Sequence, residues 1–329
     1  LFSFRAGGRM WSGAMEALLG ASRKPEEPIE ERHKNIAAAL QQLLEKAVLK
    51  TVKHAYNLTG QEHLCMGGGV ALNAVANGKV ILEGPFKRVH IWGAAGDSGA
   101  AAGAALLRDA VERSGAHKEP ATLLLGSCAT AEEIDAAIDA AGVSSSEVID
   151  ENMALYTAKL LQRGDIVARF SGAMEFGPRA LGNRSLIAHP GLASAMERLQ
   201  AIKQRESFRP FGALCFEDRF AEYISKPLSY AQYPYMNVCL PVKPTVKEKL
   251  QNVVHVDGTC RVQTLARDPS EKLSRILASF EELTGIPFIL NTSFNKRGEP
   301  LVESPAQAIE LFKNSSIDHL LIGGRLLSK

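Results

Sequence analysis

The sequence lacks the features that mark secreted, membrane-spanning and strongly charged proteins. Its five cysteines are widely spaced and odd in number, which excludes a disulfide framework and a CxxC zinc site. No apolar run approaches the ~18 residues that a membrane span requires. With 38 basic and 36 acidic residues, the net charge of +2 provides no overall field that attracts nucleic acid or a membrane surface. We therefore expect a cytoplasmic protein that binds neither nucleic acid nor membranes.

Common nucleotide fingerprints and a complete set of metal ligands are also missing. The backbone amides of "GGG" (67–69) can approach phosphate, but neither a Walker A sequence nor GxGxxG is present. The eight histidines show no close pairing. Asp97, in "GAAGDSGAAAG", suits a helix N-cap as well as it suits a metal ligand. No complete metal site can be assembled from this sequence.

Apolar periodicity in the first third of the chain predicts one long helix and two strand-turn-helix units. The helix runs from Ile29 to Tyr56, with apolar residues at helical spacing. The units contain "MGGGVALN" (66–73) and "VHIWGAAGDSGAAAGAAL" (89–106). Such units build α/β domains.

The sequence becomes polar between Leu107 and Pro120, so we place a domain boundary there and predict domains at 1–115 and 116–329. The second domain mixes helices with short strands and is also α/β. Because the chain begins at Leu1 and not at Met, we expect a fragment of a longer protein. Helices are predicted near 130–141, 152–163, 271–284 and 304–314, and strands near 165–172, 258–265 and 287–294.

The stretch "MEFGPRALGNRS" (174–185) crowds charged side chains among turn-forming residues. It follows the strand predicted at 165–172, and ligands of α/β sheets bind at the carboxyl ends of strands. Arg179 and Arg184 can each present a planar fork to a phosphate or carboxylate. The alternative is a turn whose arginines pair with Glu175 and neighbouring carboxylates, and this stretch alone does not decide between the two.

A second stretch, "KQRESFRPFG" (203–212), combines three cations with a single acid, Glu206. Two phenylalanines and a proline are interleaved, so the rings hold the chain while the cations point elsewhere. A solvated helix face would alternate its charges with acids and would not need the aromatics. We therefore favour an anion pocket over a decorated surface. The cations are Lys203, Arg205 and Arg209.

Two predicted strands add further polar groups to the second domain. In "DGTCRVQT", alternation places Arg261 on the same face as Thr259 and Gln263. In "ILNTSFN", the apolar run ends in amides and hydroxyls suited to a nucleotide or a small amide-like substrate. A turn motif would explain that end by itself, but its combination with the cations favours a site. The polar set is Asn291, Thr292, Ser293 and Asn295.

Taken together, the motifs resemble the O-carbamoyltransferases of nodulation-factor and antibiotic biosynthesis, such as those of the tobramycin and cephamycin pathways. The resemblance implies part of an actin-like ATPase lobe, of the threonylcarbamoyl transferase type, at 1–115 and a YrdC-like α/β domain at 116–329. The segments that carry it are "GGVALN", "GDSGAAAGAAL", "MEFGPRALGNRSLIAHP", "KQRESFRPFG", "PYM", "DGTCRVQT", "TGIPFILNTSFNKRGEPLVESPAQA" and "DHLLIGG".

The resemblance also implies a reaction and its cofactors. The YrdC-like domain would combine ATP, accompanied by Mg2+, with carbamoyl phosphate into carbamoyl adenylate. The actin-like domain would then pass the carbamoyl group to a hydroxyl of a sugar or secondary metabolite at a divalent metal, Fe2+. The acceptor itself is not given by the sequence.

Residue roles follow from the same resemblance, position by position. Asp97 matches a metal-binding aspartate, but the H-x-x-x-H motif that supplies its histidine partners is missing from the sequence, so we expect an incomplete metal site. The residues near the nucleotide of the transfer site would be Gly67, Gly68, Gly69 and Val70. Those binding ATP and carbamoyl phosphate would be Arg179, Lys203, Arg209, Arg261, Asn291, Ser293 and Asn295.

Two alternatives remain open at this point. A threonylcarbamoyl-adenylate synthase of tRNA modification would form its adenylate from threonine and bicarbonate. A nucleotide-binding fragment without turnover would bind ATP but release no pyrophosphate. Hydrogenase-maturation carbamoyltransferases share the domain types, but they carry CxxC zinc sequences that this chain lacks.

Overall fold

The computed structural model describes residues 11–113, 122–144, 146–147, 150–204, 206, 208–225 and 233–329. Arg205 of the second cationic stretch lies outside these residues. By spatial contacts the chain has two compact units, Leu1–Gly60 with Glu83–Pro85 and Gln61–Leu82 with Phe86–Lys329. The domain boundary near residue 115 was placed from the sequence alone, and it stays a prediction.

Helices and strands are mixed along the chain, which confirms the α/β class. The helices are α1 (Gly13–Leu19), α2 (Glu31–Thr59), α3 (Ala74–Glu83), α4 (Asp97–Arg113), α5 (Ala131–Ala141), α6 (Asp150–Arg163), α7 (Ala193–Lys203), α8 (Glu217–Tyr223), α9 (Lys272–Thr284) and α10 (Pro305–Lys313). The strands are β1 (His63–Met66), β2 (Arg88–Ile91), β3 (Ser146–Glu147), β4 (Val167–Phe170), β5 (Arg184–Ala188), β6 (Gly212–Phe216), β7 (Val238–Pro241), β8 (Thr259–Leu265), β9 (Phe288–Ser293), β10 (His319–Ile322) and β11 (Arg325–Ser328).

Helix α2 confirms the long helix predicted from Ile29 to Tyr56. It begins after Glu30, whose backbone N–H donates to His33 Nδ1 at 3.0 Å in a capping box, and it ends at Gly60 with a left-handed φ of 61°. Only two of its side chains, Glu45 and Val52, are buried. Among the described residues, no helix is both long enough and apolar enough for a membrane crossing.

The strands form a two-stranded sheet and a mixed nine-stranded sheet. Strands β1 and β2 are parallel. The order in the larger sheet is β3-β11-β10-β4-β5-β9-β6-β8-β7. In it β10 runs parallel to β4 and β6 runs parallel to β8, whereas the other neighbours are antiparallel.

The two faces of the nine-stranded sheet have different helical cover. One face packs against α5, α7, α8 and α10 through a core that includes Ala168, Leu186 and Leu290. The opposite face packs against α6 and α9 through a core that includes Ile187 and Ile289. Successive strand residues point to opposite faces, which is why neighbours such as Leu186 and Ile187 belong to different cores.

Helix α3 packs closely against strand β7 within the second compact unit. The buried Asn77 donates from Nδ2 to the carbonyls of Ala71 at 2.7 Å and Asn237 at 2.8 Å. Asn237 in turn donates to the carbonyl of Ile91 at 2.8 Å. Gly78 permits this approach, because a Cβ there would overlap the carbonyl oxygen of Cys239.

Gly78 and Gly103 form a matched pair of helical glycines that tests this packing. A Cβ at Gly103 would meet nothing within 4 Å, whereas one at Gly78 would meet backbone. We expect Gly78→Ala to lower the free energy of unfolding by about 2–4 kcal/mol. Gly103→Ala should raise it by about 0.5–1 kcal/mol through helix propensity. Urea unfolding of both variants measures this, and equal stabilities would contradict the close packing of α3 on β7.

Candidate anion-binding site

A row of polar residues crosses the sheet face that α6 and α9 cover in part. Gly212 is paired with both Arg261 and Asn291, so these two side chains leave the same face with Gly212 between them. Asn291 is also paired with Ile187, which belongs to the core beneath α6 and α9. The polar row therefore shares its face with that apolar core.

The loop 174–184, here called the Glu175 loop, is built around a buried carboxylate. Glu175 Oε1 accepts hydrogen bonds from the backbone N–H groups of Leu181 at 2.8 Å, Asn183 at 2.9 Å and Arg184 at 3.1 Å. One oxygen collects three backbone donors and thereby fixes the path of the loop. Glu175 thus shapes the turn by binding amides rather than by pairing with guanidinium groups.

Arg184 is part of the scaffold, which corrects the expectation that it can present a fork to a ligand. Its side chain is fully buried and lies 3.7 Å from the ring centroid of Phe170. Nη1 donates to the carbonyl of Ser171 at 2.8 Å, and Nη2 donates to Ser127 at 3.2 Å and Gly172 at 3.1 Å. Burial lowers the pKa of Arg184, and both terminal nitrogens are committed to backbone oxygens.

Arg179, Arg261 and Arg209 form a set of like charges, here called the arginine cluster. Burial and, secondly, the positive charge of Arg261 lower the pKa of Arg179 to about 10. Burial also lowers the pKa of Arg261, and the charge of Arg209 acts in the same direction. Each guanidinium therefore lies within electrostatic reach of a neighbour of the same sign.

Two members of the arginine cluster have buried Nε donors to which no described residue offers an acceptor. The Nε atoms of Arg179 and Arg261 are buried and have no hydrogen-bond partner among the described residues. Arg179 Nη2 donates to the carbonyl of Leu72 at 3.1 Å, which anchors one branch of its guanidinium. Leaving a buried donor unsatisfied costs about 1–3 kcal/mol, and an oxyanion is the group that satisfies both donors and reduces the repulsion.

Arg209 is the most accessible member of the cluster. Its side chain is 51% exposed, and Nη1 lies 4.0 Å from Glu206 Oε2. Glu206 pairs more closely with Arg297, at 2.9 Å. Of the aromatic residues beside it, Phe211 is fully buried but Phe208 is 64% exposed. The expectation that both rings hold this stretch is therefore wrong for Phe208.

Lys203, Ser293 and Asn295 are brought together, and they bind each other. The buried Lys203 Nζ donates to Ser293 O at 2.7 Å and Oγ at 3.0 Å, and to Asn295 O at 2.7 Å and Oδ1 at 2.5 Å. Ser293 Oγ donates to Asn295 Oδ1 at 2.7 Å. This network ties the end of α7 to the end of β9, and direct contact of its members with a ligand stays a prediction.

Gln263 and Met236 shape the site, although the motifs did not single them out as site residues. Gln263 Nε2 donates to Leu181 O at 2.8 Å, and Gln263 Oε1 accepts from Asn291 Nδ2 at 2.9 Å. Met236 has a left-handed φ of 52° and is 2% exposed. A Cβ at Gly212 would lie 2.5 Å from Met236 Sδ, so the thioether covers the gap between Arg261 and Asn291. Only the strand register reveals this arrangement.

Comparison with known families accounts for most of the chain. Residues 2–106 match the family profile described as Carbamoyltransferase N-terminus, and residues 158–329 match Carbamoyltransferase C-terminus. The chain belongs to the carbamoyltransferase family. It is 36% identical over 308 residues to nodulation protein NolNO of Sinorhizobium fredii, which covers 92% of this chain and 45% of that protein. It is 35% identical over 309 residues to nodulation protein NolO of Bradyrhizobium diazoefficiens, which covers 92% and 56%.

The chain spans about half the length of these two relatives, 45% of one and 56% of the other. Among solved structures, full-length HypF in the phosphate- and nucleotide-bound form matches with a TM-score of 0.40 and 20% identity, over 53% of this chain and 21% of that chain. A structural likeness of this size carries no argument about the fold. The resemblance to O-carbamoyltransferases noted from the motifs is confirmed at the level of the family.

The glycine-rich turn lies at one edge of the two-stranded sheet. Met66 is opposite Ile91 in the parallel pair, so the turns after β1 and β2 are neighbours. Gly68 N–H donates to Ala95 O at 2.7 Å, with a φ of 89° that favours glycine. A Cβ at any of the three glycines in 67–69 would meet nothing within 4 Å, and Val70 is 53% exposed. The turn is therefore open to an approaching group, and its contact with a nucleotide stays a prediction.

Asp97 occupies the first turn of α4, where it is exposed. In the part of the chain that the structure describes, no three His, Cys, Asp or Glu side chains come together in a group that could hold a metal ion. One carboxylate rarely retains a transition ion against water. These residues alone do not fit an iron site, and Asp97 stays an expected ligand.

Arg184 and Arg163 test the assignment of Arg184 to the scaffold. Arg163 is 64% exposed and pairs with Asp165 at 2.6 Å. Arg184→Met should lower the free energy of unfolding by about 3–5 kcal/mol, because it leaves buried carbonyls without donors. Arg163→Met should change it little. Urea unfolding of both variants decides, and comparable small losses would return Arg184 to the list of ligand-binding candidates.

Proposed function

We propose that this chain forms carbamoyl adenylate from ATP and carbamoyl phosphate at the arginine cluster. In the whole protein the carbamoyl group would then pass to a hydroxyl of a small-molecule acceptor, a sugar or secondary metabolite. The chain's membership of the carbamoyltransferase family supports carbamoyl transfer in general. The ATP-dependent step is the part that the proposal adds.

The observation that carries the proposal is that the buried Nε donors of Arg179 and Arg261 have no hydrogen-bond partner among the described residues. Two guanidinium groups that repel each other and keep donors in reserve suit a ligand with several anionic oxygens. A triphosphate meets that requirement better than a single carboxylate does. Arg209, at the accessible side, can add a further contact to the same charge.

The electrostatics of the cluster suit phosphoryl chemistry. Water first cleaves the bond between the carbamoyl group and the phosphate of carbamoyl phosphate, which gives carbamate and inorganic phosphate. A carbamate oxygen then attacks the α-phosphorus of ATP, the bond from that phosphorus to the bridging oxygen breaks, and pyrophosphate leaves with Mg2+. Negative charge builds on the phosphoryl oxygens and on the leaving group during this step. Fixed cations stabilise that charge by position, and no nucleophilic side chain is required.

The contact between Arg179 and the carbonyl of Leu72 supports a link between the two steps. Leu72 closes the turn that follows the glycines of 67–69, and this turn is the expected nucleotide contact of the transfer reaction. We assign residues 116–329 to a YrdC-like domain and 1–115 to part of an actin-like transfer domain. Asp97 would supply one ligand to the divalent metal of the transfer domain at 1–115.

Arg209 and Arg297 provide a matched test of adenylate formation. Both side chains are about half exposed, and both face Glu206, and the charge of Arg209 also lowers the pKa of Arg261. Arg209→Lys keeps the charge and loses the planar fork, so pyrophosphate release that depends on carbamoyl phosphate should fall about 10- to 100-fold. Arg297→Lys should leave the rate near that of the wild type. Equal rates for both variants would remove Arg209 from the site.

The same pyrophosphate assay separates the competing reactions. ATP, Mg2+ and carbamoyl phosphate are supplied in one arm, and ATP, Mg2+, threonine and bicarbonate in the other. Release in the first arm alone supports carbamoyl adenylate formation, and release in the second arm alone supports threonylcarbamoyl-adenylate synthesis. ATP binding without release in either arm leaves a nucleotide-binding module.

Replacement of Arg261 should weaken nucleotide binding without lowering the stability of the fold. Its guanidinium is partly buried and repelled by its neighbours, so Arg261→Met should leave the free energy of unfolding unchanged or raise it by about 1 kcal/mol. The same change should remove most of the increase in thermal midpoint that MgATP produces in the wild type. Thermal and urea unfolding with and without MgATP measure both effects. A destabilised variant that retained the full MgATP shift would contradict this role.

A further inference from the structure

Gln263 connects the two arginines that carry the proposed site. It lies two residues after Arg261 on β8, so both side chains leave the same face of the sheet. Its Nε2 donates to Leu181 O at 2.8 Å, and Leu181 lies two residues after Arg179 in the Glu175 loop. Strand β8 therefore contains Arg261 and, through the hydrogen bond of Gln263, is also attached to the loop that carries Arg179.

Both polar atoms of the Gln263 amide have hydrogen-bond partners within the protein. Its Oε1 accepts from Asn291 Nδ2 at 2.9 Å, and the same Asn291 nitrogen lies 3.3 Å from Ala180 O. Gln263 is 4% exposed. Because both amide atoms have protein partners and the side chain is buried, Gln263 does not suit direct contact with a ligand.

Other described residues build the Glu175 loop through contacts outside β8. Glu175 binds amides of its own loop, and Arg169 donates from Nη1 to Gly182 O from strand β4. Gln263 and Asn291 attach the loop to the strands β8 and β9 that border Gly212. These two amides are therefore placed to set the distance between the guanidinium groups of Arg179 and Arg261.

We propose that Gln263 is a positioning residue that holds Arg179 against Arg261 for binding of the ATP phosphates. This inference rests on the proposed function of the arginine cluster. Gln263 acts through Arg179, so its loss should matter only while Arg179 is present. A residue with a merely structural role would instead weaken binding by the same factor whether or not Arg179 is there.

A double-mutant cycle separates these two roles. Gln263→Met should weaken MgATP binding about 10- to 100-fold in calorimetry, because it loosens the placement of a charged donor. In an Arg179→Met background the additional loss should be less than about 2-fold. Gln162→Met is the matched control, since Gln162 also donates to a backbone carbonyl, that of Leu283 at 3.2 Å, but in an exposed position. Equal losses in both backgrounds would overturn the positioning role.

Hydrogen exchange tests the positioning without any ligand. The amides of Leu181, Asn183 and Arg184 all donate to Glu175, so they report the order of the loop. Gln263→Met should speed their exchange about 10-fold, whereas Gln162→Met should leave it unchanged. If these amides exchange in Gln263→Met at the same rate as in the wild type, the inference is overturned, even if the protein binds ATP. Absence of MgATP binding by the wild-type protein would count against the proposed function. The exchange rates would then still decide whether Gln263 positions the loop of Arg179.

Discussion

The repulsion between Arg179 and Arg261 is the constraint on which the candidate site depends. The Nε atoms of both groups are buried and have no hydrogen-bond partner among the described residues, and the charge of Arg261 lowers the pKa of Arg179, so rigid structure must hold the two side chains in place. The structure supplies that rigidity on both sides. Arg261 is fixed by its strand, and Arg179 is fixed by a loop whose interior is organised by the carboxylate of Glu175.

The bracing of this loop explains why so many polar side chains are buried around it. The side chain of Arg184 is fully buried, and its terminal nitrogens donate to backbone carbonyls, among them those of Gly172 and Ser127. Lys203 does the same at the end of β9. These cations stabilise loops that cannot satisfy their own backbone groups.

Sequence patterns predicted the parts of the molecule that depend on local periodicity. The long helix α2, strand β4 and the helices α5, α9 and α10 were predicted in their observed places. Strand β5 was not, because it starts inside the polar stretch at Arg184, where no alternation is visible. Motif composition also grouped Arg179 with Arg184, although Arg184 is part of the scaffold and Arg179 belongs to the arginine cluster. That difference depends on register and on backbone carbonyls distant in sequence, which no local pattern contains.

The contacts of Met236 and Gln263 also depend on segments that are distant in the sequence. Met236 covers Gly212 because two segments of chain meet there, and its left-handed φ cannot be read from its residue type. Gln263 was placed correctly on the face of Arg261 by alternation, but its partner Leu181 lies far away in the sequence. The resemblance to the family came from long motifs, whereas the contacts of individual residues came from the geometry.

The central claim is that Arg179 and Arg261 converge on the phosphates of a nucleotide. A crystal structure of the protein with a non-hydrolysable ATP analogue and Mg2+ tests it most directly. The account predicts phosphate oxygens within about 3 Å of the guanidinium groups of both arginines, with Arg184 still bound to its carbonyls. A nucleotide bound elsewhere on the chain, with the arginine cluster free of contacts to it, would contradict the account.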